Sequence, residues 1–216
     1  ISVAPLKTKY PQGAERSLIY ATTGRSINSS MLPADAGCIV DNVATITAIK
    51  EAVKDGKPLF SRVVTVTGDA IANPSNFLVR TGTDVNELIE AAGGFKQQPE
   101  KVISGGPMMG MAMYTTDVPA VKTFSCLLAM TKDEVAANQP SNCIRCGRCV
   151  KVCPQKLMPM KLSVLADHKE FDEFERLHGA ECVECGSCSY ICPAKRNLAQ
   201  SMKTGRKQVL ANRRKK

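Results

Sequence analysis

Long hydrophobic segments are missing from this sequence. No apolar run approaches the roughly 20 residues that a membrane-spanning helix needs, and the N-terminus lacks the basic-then-apolar layout of a secretion signal. These absences argue against a membrane-spanning or secreted class and predict a chain that is soluble or attached to a membrane from outside. The first residue is Ile1 rather than Met, and residues 1–10 read like a strand entered midway. We therefore expect a fragment of a longer polypeptide.

Acidic residues are absent from residues 194–216, and the chain as a whole carries a net charge of +9. The basic residues of this segment are Lys195, Arg196, Lys203, Arg206, Lys207 and residues 213–216. Such a segment suits anionic lipids or acidic protein partners. Nucleic acid ranks last because interleaved aromatic residues are missing. Disorder, the usual state of a charged terminus, stays the open alternative.

A glycine-rich dinucleotide loop is also missing. No G-x-G-x-x-G segment opens a helix after a strand. Residues 105–110 have proline and methionines where a phosphate loop needs exposed backbone amides. Residues 1–216 are therefore predicted to lack a complete flavin or dinucleotide pocket.

Cysteine is scarce outside one region, since of the 10 cysteines only Cys38 and Cys126 lie outside residues 143–192. Cysteines so close in sequence cannot link distant parts of a fold, which argues against a disulfide scaffold. They can instead surround a metal centre, and this implies a reducing intracellular compartment. We expect Cys38 and Cys126 to be free thiols.

The clustered cysteines form two motifs of the type C-x2-C-x2-C-x3-C-P, which is typical of 4Fe-4S proteins. Gly147 and Gly186 allow the backbone to turn tightly inside each motif. In two-cluster ferredoxins the fourth cysteine of one motif binds the cluster of the other. The first predicted ligand set is therefore Cys143, Cys146, Cys149 and Cys192. The second set is Cys182, Cys185, Cys188 and Cys153.

Zinc is the alternative occupant, but its usual signature is two C-x2-C pairs rather than this duplicated motif. The exchanged fourth ligand predicts two clusters close enough for electron tunnelling, and hence an electron-transfer protein. The helical pattern between Cys153 and Cys182 favours a helical ferredoxin-like domain. Basic residues flank the first motif, where they either raise the potential of its cluster or form a solvated face; they are Arg145, Arg148, Lys151 and Lys156.

The region before the motifs combines helix and strand signals. Residues 43–54 have helical periodicity, with Asn42 as N-cap and Gly56 as stop. The pattern predicts strands over residues 62–68 and 76–80 and a helix over residues 84–92. Residues 1–57 thus resemble the end of an α/β unit, and a small α+β module follows Pro58.

Several segments resemble, in the same order, the RnfC/RsxC family, which is the C subunit of the Rnf electron-transport complex. They are residues 32–35, 62–68, 104–110 and 121–123, followed by the two cysteine motifs. The match covers nearly the whole chain and corresponds to the middle and C-terminal parts of that family, beginning inside its flavin-binding domain. That domain is similar to the flavin subunit of respiratory complex I.

The resemblance implies a multidomain α+β fold. Residues 1–57 would be the end of an α/β flavin-binding domain, and residues 58–115 a β-grasp module of the SLBB type. Residues 116–130 would be a linker, residues 131–200 a helical ferredoxin domain with two 4Fe-4S clusters, and residues 201–216 a basic tail.

The resemblance also implies a peripheral subunit on the cytoplasmic face of the plasma membrane. Its complex couples electron flow between ferredoxin and NAD to the movement of sodium ions or protons, and ferredoxin-type subunits would be its partners. FMN and NAD(H) are expected in the full-length subunit. Asn42 matches an asparagine that approaches the FMN phosphate, whereas Asp41 departs from the pattern. A helix N-terminus suits an anion, although Asn42 is also explained as a plain N-cap.

Two other functions stay open. A soluble corrinoid (cobalamin) reductase with flavin and iron-sulfur modules would share this architecture. A non-catalytic protein, in which the clusters only brace an interaction module, would share the cysteine motifs.

Overall fold

The computed structural model describes residues 1–215 and divides the chain into two compact units. One unit combines Ile1–Val40 with the chain from Gln139 onward, and the other is Asp41–Asn138. The predicted α+β multidomain class is confirmed. No helix within residues 1–215 is both long and apolar enough to cross a membrane.

The Asp41–Asn138 unit contains a mixed five-stranded sheet in the order β2-β1-β5-β3-β4. The strands are β1 (Ser61–Thr67), β2 (Ser75–Arg80), β3 (Lys101–Ser104), β4 (Met111–Ala112) and β5 (Cys126–Met130). In β1 every second residue faces the core, so that Val64 and Val66 are fully buried and Val63 is exposed. β1 pairs antiparallel with β2 and parallel with β5.

Three helices belong to this unit: α2 (Val43–Asp55), α3 (Val85–Ala91) and α4 (Glu134–Ala137). α3 begins after Asp84, whose carboxylate accepts the backbone N–H of Asn86 at 2.7 Å, and it buries Leu88 and Ile89 on the sheet core. α2 has the predicted N-cap Asn42 and ends at Gly56, but it buries none of its residues.

The other unit is helical. Its helices are α1 (Glu15–Thr23), α5 (Arg148–Val152), α6 (Pro159–Asp167), α7 (Phe171–Arg176), α8 (Ser187–Tyr190) and α9 (Leu198–Arg213). α9 packs on α6 and α7. The fully buried ring of Phe174 lies in the core of this packing, against Gly179 and Gly205. The helical ferredoxin-like prediction is confirmed, because no strand lies between Thr131 and Lys215.

The structure differs from the sequence predictions in three segments. The predicted linker over residues 116–130 contains β5, which lies at the centre of the sheet and fully buries Leu127 and Ala129. The predicted basic tail is helical as far as Arg213, since Met202, Gly205 and Val209 are buried. Lys216, its last residue, lies outside the described residues. The opening residues 1–10, which read as a strand, form none.

Gly205 is required by close packing rather than by its backbone conformation. A Cβ atom there would lie 2.8 Å from the Phe174 ring and 3.0 Å from Ala166 Cβ. Gly205→Ala should therefore lower the free energy of unfolding by about 1–3 kcal/mol, as overpacking does, although alanine normally stabilises a helix by about 1 kcal/mol relative to glycine. Denaturant unfolding followed by far-UV circular dichroism measures the difference.

Thr204→Ala is the matched control for this prediction, because Thr204 is the neighbouring, exposed residue of α9. It should leave the stability unchanged or raise it by a few tenths of a kcal/mol. A Gly205→Ala variant that unfolds at higher denaturant than the wild type would show that α9 does not pack closely on Phe174.

Candidate metal centres

The two cysteine motifs fold into the same local backbone. Gly147 precedes α5 with φ 71°, and Gly186 precedes α8 with φ 78°. Arg145 and Glu184, at equivalent positions, have φ values of 54° and 56°. Residues with a side chain adopt this left-handed conformation rarely. Its recurrence therefore indicates that both motifs must curl in the same way around an enclosed space.

The first cavity is lined by the four cysteines of the first predicted set, namely Cys143, Cys146, Cys149 and Cys192. It encloses about 350 Å³, part of it open to solvent. Met160, Pro193 and Leu198 contribute apolar lining, and Arg145 and Arg196 also lie against it.

The second cavity is lined by the four cysteines of the second predicted set, namely Cys153, Cys182, Cys185 and Cys188. The space around this lining measures about 360 Å³, part of it open to solvent. Pro159, Ala199 and Met202 contribute apolar lining. In both cavities three cysteines come from one motif and the fourth from the other. The structure thus brings together each predicted set, while the binding of iron by these thiols stays a prediction.

The donor set of each cavity fits a 4Fe-4S cluster. Four thiolates are the ligands that such a cluster takes. Within residues 1–215 no three Cys, His, Asp or Glu side chains are arranged to hold a single metal ion.

Backbone amides also point to sulfur atoms of the second set. The N–H of Leu157 donates to Cys153 Sγ at 3.4 Å, and the N–H of Glu184 donates to Cys182 Sγ at 3.4 Å. Such bonds stabilise negative charge on a thiolate and are one determinant of cluster potential.

Burial shifts the pKa of two thiols of the second set by a large amount. It raises the pKa of the Cys182 thiol to about 11 and that of Cys188 to about 12, with smaller contributions from neighbouring sulfur atoms. Both groups are therefore protonated at neutral pH until a metal binds. Cluster insertion must release these protons.

The N-terminal segment covers the second motif. The Tyr10 hydroxyl donates to the backbone carbonyl of Cys185 at 2.6 Å. Glu181 forms an ion pair with Arg16 at 2.8 Å, and it accepts the backbone N–H of Ser29 at 2.8 Å and the Ser29 hydroxyl at 2.5 Å. No sequence signal pointed to these contacts, because the partners lie more than a hundred residues apart.

The remaining predicted residues are not among those that line the two cavities. Asn42 caps α2, its side-chain oxygen accepting the N–H of Ala44 at 2.9 Å. Its predicted contact with an FMN phosphate stays a prediction. Cys38 is half-buried after a short helical turn, and Cys126 begins β5, where burial raises the pKa of its thiol. Neither cysteine lines a cavity of the cysteine motifs.

Three family models match separate parts of the chain. Residues 1–51 match the Nuo51 FMN-binding domain, residues 63–112 the SLBB domain and residues 142–196 the 4Fe-4S dicluster domain. The dicluster match covers both cysteine motifs.

Curated proteins from several bacteria are similar to this chain. The C subunit of the Na⁺-translocating ferredoxin:NAD⁺ oxidoreductase complex of Acetobacterium woodii is 48% identical over 215 residues, which are 100% of this chain and 48% of the relative. The C subunit of the proton-translocating ferredoxin:NAD⁺ oxidoreductase complex of Clostridium ljungdahlii is 50% identical over 173 residues, 80% of this chain and 38% of the relative. The C subunit of the ion-translocating oxidoreductase complex of Pseudomonas aeruginosa is 42% identical over 172 residues, 79% of this chain and 22% of the relative. The chain thus spans less than half the length of each.

Replacing Cys153 tests the exchange of the fourth ligand. Because Cys153 lies in the second cavity, Cys153→Ala should disturb the cluster of Cys182, Cys185 and Cys188 and spare the other. Electron paramagnetic resonance of the reduced protein detects which signal is lost. Cys185→Ala should remove the same signal as Cys153→Ala, whereas Cys192→Ala should remove the signal that Cys146→Ala removes. If Cys153→Ala and Cys146→Ala affect the same signal, the exchange is wrong.

Proposed function

The chain belongs to the C-subunit family of ion-translocating ferredoxin:NAD⁺ oxidoreductase complexes, and on this premise we propose that it relays single electrons through two 4Fe-4S clusters within such a complex. The observation that supports this proposal most is the pair of cavities, each lined by three cysteines of one motif and one of the other. A 4Fe-4S cluster accepts and releases one electron at a time when bound.

The residues of this chain would hold the clusters and control their surroundings. The eight thiolates bind iron as the two predicted sets. Met160 and Leu198 at the first cavity, and Pro159 and Met202 at the second, restrict the access of water. The amides that donate to Cys153 and Cys182 stabilise negative charge at the second centre.

Electron passage between the centres is favoured by the contact between α5 and α8. Each of these helices follows the glycine of its motif and carries the third cysteine, Cys149 in α5 and Cys188 in α8. The two cavities therefore lie on adjoining helices of one core. This arrangement supports a relay of two centres rather than two independent sites.

We further propose that FMN and NAD(H) bind in the full-length protein. The match of residues 1–51 to an FMN-binding domain supports this, as do the names of the relatives. Asn42 would lie near the flavin phosphate, because the N-terminus of α2 offers backbone N–H groups to an anion. The side-chain amide of Asn42 donates no hydrogen bond within residues 1–215 and is available for such a contact.

The location proposed for the protein is the cytoplasmic face of the plasma membrane, as a peripheral subunit. The relatives are named as subunits of complexes that translocate ions, and translocation of an ion requires a membrane. These names also contain ferredoxin and NAD⁺. Both are found in the cytoplasm, which supports a location on the cytoplasmic face. Ferredoxin-type subunits are the proposed electron partners.

Metal and flavin analysis of the anaerobically purified full-length subunit tests the proposed function. We expect about eight iron and eight sulfide ions per chain, as two 4Fe-4S clusters require, together with flavin. NADH should bleach the visible absorbance of the clusters. A flavin is needed because hydride arrives as an electron pair and must be divided into single electrons.

Two control measurements accompany this experiment. Residues 1–216 expressed alone should retain the iron and sulfide but fail to oxidise NADH, with or without added FMN. Cobalamin should not be reduced by the full-length subunit, whereas a corrinoid reductase would reduce it. Stoichiometric zinc, or clusters that cannot be reduced at any accessible potential, would contradict the proposal.

A further inference from the structure

The two cysteine motifs differ sharply in exposure although their backbones are alike. Every residue from 143 to 148 is exposed to solvent, and Ile144 exposes 67% of its surface. In the equivalent stretch of the second motif, residues 182–187, no residue is exposed, and Cys185 and Ser187 are buried. The loop of the first motif is therefore open to solvent, whereas the equivalent loop of the second motif is covered.

The cover over the second loop consists of segments of this chain. Tyr10 contacts the carbonyl of Cys185, Arg16 pairs with Glu181, and Arg206 pairs with Glu184 at 2.9 Å. Within residues 1–215 the side chains of Arg145 and Arg148 form no hydrogen bond or ion pair. An apolar side chain, Ile144, and two unpaired cations thus lie on the open loop of the first cavity.

The charged residues that line the first cavity, Arg145 and Arg196, are both positive. Arg145 occupies the position that Glu184 has in the second motif, and Arg196 lines the cavity beside it. No acidic residue lies between Glu134 and Asp167 or after Pro193 in the sequence. The two carboxylates beside the second motif, by contrast, are neutralised by arginines. A surface with this sign attracts an acidic partner and orients it during encounter.

We propose that residues 143–148 form the docking surface for an acidic one-electron carrier protein of the ferredoxin type, through which the first centre exchanges electrons. This inference rests on the proposed function. One electron passes between the reduced and the oxidised partner, and no bond forms or breaks and no proton is transferred. The second centre, covered by residues 1–40, is then the internal one, which exchanges electrons through the first.

A charge-reversal experiment on the full-length, cluster-loaded subunit tests this surface, with a soluble acidic two-cluster bacterial ferredoxin as the probe. The variant is Arg145→Glu with Arg148→Glu. Glutamate suits position 145 because Glu184 adopts the same backbone conformation in the second motif. The control variant is Lys203→Glu with Lys207→Glu, which makes the same charge change at exposed residues of α9.

Binding affinity is measured as a function of salt concentration, and electron paramagnetic resonance checks that both clusters are intact. The docking-surface variant should bind the ferredoxin about tenfold or more weakly at low salt. The difference should shrink above about 0.5 M salt, where charges are screened. The control should bind within about twofold of the wild type. Carbodiimide cross-linking should join Lys151, which is exposed near the first motif, to carboxylates of the ferredoxin.

Two results would overturn the docking surface. One is an equal loss of affinity in both double variants, since attraction would then follow net charge alone. The other is unchanged binding in the docking-surface variant. In either case the wild-type subunit would still contain about eight irons and be reduced by NADH, so that failure of this inference differs from failure of the proposed function.

Discussion

The exchange of one cysteine between the two motifs is the constraint on which the helical unit depends. Cys153 follows the first motif but lines the cavity of the second, and Cys192 does the reverse. Neither cavity can form until both motifs are in place. The chain between them, α6 and α7, must therefore fold back so that α5 meets α8 and α6 meets α9. Phe174, Gly179 and Gly205 supply the close packing that this return requires.

Local patterns in the sequence were sufficient to predict several parts of the structure. The alternation of Val64 and Val66 identified β1, and the Asn42 cap with Gly56 defined α2. The duplicated cysteine spacing identified both sets that the structure brings together. Spacing was sufficient there because three cysteines two residues apart, with a glycine between them, permit few backbone paths around one centre.

Features that depend on contacts between distant segments were not predictable in the same way. β5 is a short apolar run without a polar alternation, and its central position follows from pairing with β1 on one edge and β3 on the other. The basic residues of α9 concealed its apolar stripe, because Met202, Gly205 and Val209 are separated by cations. The contacts of Tyr10 and Arg16 with the second motif join distant segments and correspond to no local sequence pattern. These contacts make the two motifs unequal, although both have the same cysteine spacing.

Diffraction from crystals of the protein near the iron absorption edge tests the central claim most directly. The account predicts two separate iron clusters of four atoms, one in each cavity, with Cys192 bound to the cluster of Cys143, Cys146 and Cys149, and Cys153 bound to the other. A single metal atom in either cavity, or each motif binding a cluster with its own four cysteines, would contradict it.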